Sequence, residues 1–86
     1  ENHLLGSSSV VKSINYSTTS IDYQTFDNES TEILRLTMKP SAVKLDKVLL
    51  SETQDMELQG WSWLPSDSGG VLIINKKEKP EVSIEF

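Results

Sequence analysis

The sequence predicts an all-β fold, an antiparallel Ig-like β-sandwich of about seven or eight short strands. Polar and apolar residues alternate along several segments, most clearly over residues 81–86, where Val82, Ile84 and Phe86 share one face. Stretches rich in Gly, Pro, Ser and Asp separate these segments about every eight to twelve residues. No segment shows the period of a helix of ordinary length.

The 86 residues suffice for one domain. Only 36% of them are hydrophobic, which a two-layer sheet tolerates because each strand needs a single apolar face. Residues 1–9 are small and polar and lack periodicity, so they predict a linker or disordered N-terminal tether. Residues 10–86 then form the β-sandwich domain, whose final strand runs to the last residue, as we expect of a module bounded by its own fold.

Three strands are predicted in the first half of the chain, over residues 10–16, 21–25 and 31–38. Phe26 breaks the alternation of the second of these, so a strand end or a bulge is expected there. Glu32 lies on the same face of the third strand as its leucines.

A tight hairpin is predicted over residues 43–50, with Asp46 and Lys47 at its tip. Aspartate suits the first loop position, whereas lysine is a poor choice where a positive φ is needed. Residues 51–59 are the least strand-like and are predicted as loop, although the spacing of Ser51 and Gln54 is compatible with one helical turn.

The last three strands are predicted over residues 60–64, 71–75 and 81–86. A turn around Gly69 and Gly70 separates the first two of them. The middle strand is apolar on both faces, so it should be central in its sheet. We expect the core to consist of Ile21, Tyr23, Leu34, Leu36, Val43, Leu45, Val48, Leu50, Val71, Ile73, Val82, Ile84 and Phe86.

Charge and composition disfavour several classes of partner. The net charge is −5, and the eight lysines and arginines are scattered, so we expect no binding to nucleic acid, which requires a basic patch. Apolar runs such as residues 71–74 are far too short to cross a bilayer, so membrane insertion is not expected. The sequence has no cysteine and therefore neither disulfides nor thiolate metal sites.

No pattern of catalytic residues is evident, and we expect the domain not to be an enzyme and to need no cofactor or metal. The single histidine, His3, lies in the predicted tether, where nothing would hold it in the geometry of proton transfer. The neighbouring carboxylates Asp22, Asp27, Glu29 and Glu32 are predicted to be solvated, on outward strand faces or in turns.

Trp61 and Trp63 are the one functional hint. Two residues apart on a strand, both indoles project from the same face. If that face is open, the pair forms an aromatic platform for carbohydrate binding. If it is closed, the indoles become large contributors to a core or an interface, and this is the outcome that we expect for at least one of them.

Four segments resemble the non-catalytic β-sandwich modules that are appended to large secreted bacterial glycoside hydrolases. In those modules a hairpin is followed by a tryptophan-bearing strand, a Gly-Val-Leu-x-Ile strand and a last edge strand, and Lys47 stands where they usually carry glycine. The corresponding segments here are VKLDKVLL (43–50), GWSW (60–63), GGVLII (69–74) and VSI (82–84).

This resemblance implies an accessory role in a secreted, periplasmic or cell-surface protein. The module would pack against, or space, the catalytic domain of the same parent chain. The alternatives are a carbohydrate-binding module that holds a polysaccharide on the Trp61/Trp63 platform, and a protein-interaction or adhesion module that binds through an edge strand or an apolar patch.

Overall fold

The computed structural model describes residues 2–54 and 59–86, which form two antiparallel β-sheets packed face to face. The strands of this part of the chain are, in order, β1 (His3–Ser7), β2 (Val11–Tyr16), β3 (Ser20–Thr25), β4 (Ser30–Leu36), β5 (Ala42–Leu45), β6 (Val48–Leu49), β7 (Gly60–Ser66), β8 (Gly69–Lys76) and β9 (Glu81–Glu85). One sheet has the order β1-β4-β8-β7, and the other has the order β2-β3-β9-β5-β6.

The predicted all-β sandwich is confirmed, with nine strands among the described residues instead of seven or eight. The immunoglobulin constant-type arrangement has the strand orders ABED and CFG, in which the first two strands are neighbours. Here β1 and β2 belong to different sheets.

The predicted strand end at Phe26 is confirmed, because β3 stops at Thr25. Of the predicted loop 51–59, residues 55–58 lie outside the described residues.

The additional strand is β1, and the prediction of a tether over residues 1–9 is wrong for His3–Ser7. This segment pairs with β4 along its length, with Leu4 opposite Leu34 and with a bulge between Leu4 and Gly6. The bulge shifts the register by one residue, which removes the alternation that marks a strand in the sequence. Residues 3–7 therefore belong to the sandwich.

The core lies between the sheets and includes most of the predicted residues. Val48 is an error, since it is 69% exposed at the hairpin tip. On β8 the inward residues are Leu72 and Ile74, whereas the predicted Val71 and Ile73 are only half-buried on the outer face. A strand that is apolar on both faces carries no period that selects the inner one. β8 is central in its sheet, as predicted.

The stretch after β6 connects the two sheets along one side. The Leu50 amide donates to the Val43 carbonyl in the five-stranded sheet, with a nitrogen–oxygen distance of 2.8 Å. The Trp61 amide then donates to the Ser51 carbonyl (3.0 Å), and the Thr53 amide donates to the Trp61 carbonyl (2.7 Å). Residues 51–53 thus cover the outer edge of β7, so the part of the predicted loop that is described bonds to a sheet and does not form a helical turn.

The β5–β6 hairpin turns through two residues with positive φ, Asp46 at 49° and Lys47 at 69°. Both angles match the two-residue type I′ turn, whose twist suits an antiparallel hairpin. The predicted hairpin is therefore present even though lysine occupies a position that favours glycine.

Lys47→Gly is expected to stabilise the domain by about 1 kcal/mol, because an L-residue is strained in the left-handed region and glycine is not. Denaturant unfolding measures the gain. Thr18→Gly, in the exposed β2–β3 turn where φ is not positive, is the control and should lower stability slightly. A loss of stability in Lys47→Gly would contradict the prediction.

Candidate functional surfaces

Trp61 and Trp63 both point between the sheets from β7. Trp61 is only 6% exposed, and its indole Nε1 donates to the Leu50 carbonyl oxygen at 3.1 Å. The Lys39 ammonium lies 5.8 Å from the centre of its ring. Trp63 is half-buried and packs against the core, close enough to Gly70 that a Cβ there would lie 2.6 Å from the indole.

The two indoles therefore do not form an exposed platform, and the expectation that at least one belongs to the core is confirmed for Trp61. The inner face of β7 is closed by the opposite sheet, so a sugar ring has no access to the face of Trp61. Of the two predicted carbohydrate-binding residues, only Trp63 keeps an accessible part.

Iodide quenching of fluorescence tests this arrangement. In Trp63→Phe, which leaves Trp61 as the single indole, we expect blue-shifted emission and little quenching, because the ring is enclosed by protein. In Trp61→Phe the remaining Trp63 should be quenched more strongly. Red-shifted, readily quenched emission from Trp61 would contradict its placement in the core.

Glu32 is the clearest departure from the predicted solvated carboxylates, since it is 0% exposed. Tyr23 Oη donates to Glu32 Oε1 at 2.7 Å, and Ser7 Oγ donates to Oε2 at 2.8 Å. The sequence placed Glu32 on the leucine face of β4. It did not predict that Glu32 is buried, because the hydroxyl groups that donate to its carboxylate come from β1 and β3. Asp22, Asp27 and Glu29 are exposed, as predicted.

Lys76 is a second fully buried charge, at the end of β8. Its Nζ donates to Thr25 Oγ1 at 2.7 Å, to Ser30 Oγ at 2.6 Å and to the Asp27 carbonyl oxygen at 3.0 Å. These contacts tie β3 and β4 to β8. Within the described part of the chain, every buried side-chain nitrogen and oxygen has a hydrogen-bond partner.

The electrostatics of this network follow from burial. Burial lowers the pKa of Lys76, while the charges of Glu32 and Asp27 oppose that shift. Burial, followed by the charge and the hydrogen bond of Glu32, raises the pKa of Tyr23 well above its ordinary value. An amine beside the Ser30 hydroxyl is a pair that can activate a nucleophile, but Ser30 is only 4% exposed. A substrate cannot reach these atoms in this structure, so the cluster acts as a brace between strands.

Tyr23→Phe is expected to reduce the decrease in the free energy of unfolding that occurs at alkaline pH. The pKa of Tyr23 is raised above 10.0 in the folded chain, so its contribution is complete below pH 10 and falls as the pH rises further. The unfolding free energy of the unmodified protein should therefore decrease more steeply than that of Tyr23→Phe between about pH 10 and 12. The lowered pKa of Lys76 acts in the opposite direction in both proteins and cancels in the comparison. Parallel curves would contradict the prediction.

The outer face of the four-stranded sheet carries a group of apolar side chains, which the polar residues His3, Thr31, Ser62 and Asn75 surround on the same face. Ile33 lies opposite Ile73, and Leu64 lies opposite Val71. Ile33 and Leu64 are 39% and 53% exposed. Leu5 is exposed at the bulge of β1, next to these strands, and Arg35, the single arginine of the chain, lies on the same outer face. We call this surface the apolar face; its residues are Leu5, Ile33, Arg35, Leu64, Val71 and Ile73.

The outer face of the five-stranded sheet is polar instead. Asn15, Asp22, Ser83 and Lys44 form one row across β2, β3, β9 and β5. Two depressions of about 190 and 370 Å³ lie on this face, and both are lined by Asp22 and Glu81. We call the two together the polar trough; its lining residues are Ser13, Asn15, Asp22, Tyr23, Gln24, Lys44, Asp46, Lys47, Glu81, Ser83 and Glu85.

Two of the edge strands, β1 and β2, carry features that oppose strand addition. β1 and β2 are the outermost strands on one side of the sandwich, and the Leu4 amide donates to the Tyr16 hydroxyl between them at 3.2 Å. Both strands contain a bulge, and Lys12 lies at the bulge of β2. Bulges and edge lysines block edge-to-edge pairing, so a partner is better accommodated on a sheet face than on these edges.

His3, the only histidine, lies exposed on β1. No group of three or more metal-ligating side chains occurs among the described residues. That part of the chain also contains no helix that could cross a membrane.

Comparison with known proteins gives no relative: no family model fits the chain, and no curated protein or solved structure matches it. The resemblance to accessory modules therefore depends on the four quoted segments alone.

Proposed function

We propose that this domain is a non-catalytic accessory module of a secreted or cell-surface carbohydrate-active enzyme, and that it packs against the catalytic domain of the same parent chain. The observation that carries the proposal is the apolar face. One face of an antiparallel sheet is ordinarily solvated and polar, as the five-stranded sheet of this sandwich is, whereas the four-stranded sheet presents isoleucines, leucines and a valine.

Contiguous exposed apolar side chains are typical of a surface that is covered by another protein surface. Arginine is enriched in such interfaces, where its guanidinium pairs with a carboxylate of the partner. Arg35 next to Val71 and Leu64 fits this composition. The catalytic domain that the resemblance implies would therefore offer an apolar patch with an acidic residue opposite Arg35.

The test uses the full-length enzyme that carries the domain. Ile33→Asp combined with Leu64→Asp should leave the isolated domain folded, because both residues are exposed, and should lower the unfolding temperature of the catalytic domain in the full chain. Val48→Asp with Leu49→Asp, which replaces two exposed apolar residues of β6 in the other sheet (69% and 67% exposed), is the matched control and should leave it unchanged. Equal unfolding temperatures in all three proteins would overturn the proposal.

The same experiment separates the adhesion alternative. If the apolar face binds a different protein, the aspartate substitutions abolish that complex and leave the catalytic domain unaffected. A module that only spaces the catalytic domain would show neither effect.

A further inference from the structure

We infer that the outer edge of β6 is a contact between two copies of this chain, which pair antiparallel about a two-fold axis at Leu49. Val48 and Leu49 are 69% and 67% exposed, more than any other large hydrophobic residue that the structure describes. They belong to the five-stranded sheet, whereas the apolar face belongs to the other sheet. The inference therefore does not depend on the proposed packing role.

β6 is the least protected of the four outermost strands. β1 and β2 contain bulges, and residues 51–53 cover the outer edge of β7. β6 pairs with β5 without a bulge, and no other described strand pairs with its outer side. An edge without such features is open to pairing with a strand of another chain.

The outward backbone groups of this edge belong to Leu49. The Leu50 amide donates to the Val43 carbonyl in β5 at 2.8 Å. Since successive residues of an antiparallel strand bond to opposite sides, the amide and the carbonyl of Leu49 point away from β5. Two copies related by a two-fold axis at Leu49 can therefore exchange two hydrogen bonds, each amide donating to the carbonyl of the other copy.

The side chains of this edge complement a second copy of themselves, as a two-fold contact requires. When Leu49 pairs with Leu49, Val48 of one copy lies opposite Leu50 of the other. Leu45 and Leu50 line a depression of about 120 Å³ beside Val48. The exposed Val48 of each copy thus reaches the depression of the other, and both apolar surfaces leave water together.

Charge is balanced at this edge, although the whole chain carries −5. Asp46, Glu78 and Lys79 line the depression, Lys47 lies beside it in the hairpin turn, and all four side chains are exposed. Their charges sum to zero, so two copies meet here without net repulsion. A strongly acidic or basic partner finds no opposite charge, which favours a second copy as the occupant.

The contact is small, because β6 has only two residues. We therefore expect a weak dimer with a Kd of about 0.1 mM, in the class of small and transient interfaces. Sedimentation equilibrium of the chain between about 10 μM and 1 mM, tenfold on either side of this Kd, should show a monomer–dimer equilibrium.

Leu49→Pro tests the strand pairing. Proline removes the outward amide and leaves the hydrogen bond between Leu50 and Val43 in place, so the domain should stay folded. The dimer should weaken at least tenfold. Val48→Asp, which places a charge at the depression, should have the same effect. Met38→Asp replaces an exposed hydrophobic residue after β4 (56% exposed) and is the matched control, which should dimerise as the unmodified chain does.

A single introduced thiol reports the register, because the chain has no cysteine. Leu49→Cys should form a disulfide-linked dimer under mild oxidation, since the Cα atoms of a hydrogen-bonded antiparallel pair are about 5.5 Å apart, within the range that a disulfide spans. Thr18→Cys, in the exposed β2–β3 turn, is the control and should remain monomeric under the same conditions.

The inference is overturned if the chain stays monomeric up to about 1 mM, or if Leu49→Pro and Val48→Asp dimerise as the unmodified chain does. It is also overturned if Ile33→Asp with Leu64→Asp abolishes the dimer, since the apolar face is then the contact. These measurements use the isolated domain, whereas the unfolding temperature of the catalytic domain is measured in the full-length enzyme. The two proposals therefore fail separately.

Discussion

Lys76→Met is expected to lower the free energy of unfolding by about 3 kcal/mol, because it leaves the buried acceptors of the ammonium without a donor, at roughly 1 kcal/mol or more each. The substitution keeps the length of the side chain but removes the three hydrogen bonds that Nζ donates to Thr25, Ser30 and the Asp27 carbonyl. It also leaves the fully buried Glu32 without the opposing charge that acts on it. Since small domains are stable by about 5–15 kcal/mol, much of the variant could be unfolded at room temperature. Denaturant unfolding followed by tryptophan fluorescence measures the loss.

Lys77→Met is the matched control, because Lys77 is the exposed neighbour of Lys76, and its unfolding free energy should change by less than about 0.5 kcal/mol. The double variant Lys76→Met with Glu32→Leu should be no more stable than Lys76→Met, because Glu32→Leu removes the acceptor of the Tyr23 and Ser7 hydroxyls. If Lys76→Met unfolds at the same denaturant concentration as the unmodified protein, the buried amine is not a brace.

Gly69→Ala is expected to cost roughly 3 kcal/mol or more, which is at the upper end for a single substitution. Gly69 begins β8 with φ = 126°, a conformation that L side chains rarely adopt. A Cβ at this position would overlap the Leu36 carbonyl oxygen and lie 2.8 Å from Thr37 Cα. Both are backbone atoms, which cannot turn aside as a side chain would, so the hairpin must separate from the end of β4.

Gly6→Ala is the control for this substitution. Gly6 has no heavy atom within 4 Å of the position its Cβ would take, and its φ is not positive. Its unfolding free energy should therefore change by less than about 1 kcal/mol. Equal stabilities of Gly69→Ala and Gly6→Ala would show that the start of β8 can relax, contrary to the packing described here.

The alternation of polar and apolar residues along the sequence was sufficient to predict the fold class and the position of most strands. It failed where one residue interrupts the period, as the bulge between Leu4 and Gly6 does in β1, and where a strand is apolar on both faces. For β8 the sequence indicated a central strand, but which face looks inward depends on its pairing with β4 and β7.

The candidate surfaces were less accessible to sequence reasoning. A tryptophan pair two residues apart indicates a shared face, and only the opposite sheet decides that this face is closed. The polar trough combines side chains from β2, β3, β9 and β5, which lie far apart in the chain. No local pattern joins them.

The sequence by itself determined an all-β sandwich, the position of most turns and the inward residues of the clearly alternating strands, because these follow from backbone periodicity and local turn chemistry. The tertiary structure decided which charges are buried, that Trp61 belongs to the core, and that one outer face carries a group of apolar side chains and the other is polar. These properties depend on which strands become neighbours, and that pairing is set by contacts between residues distant in the chain.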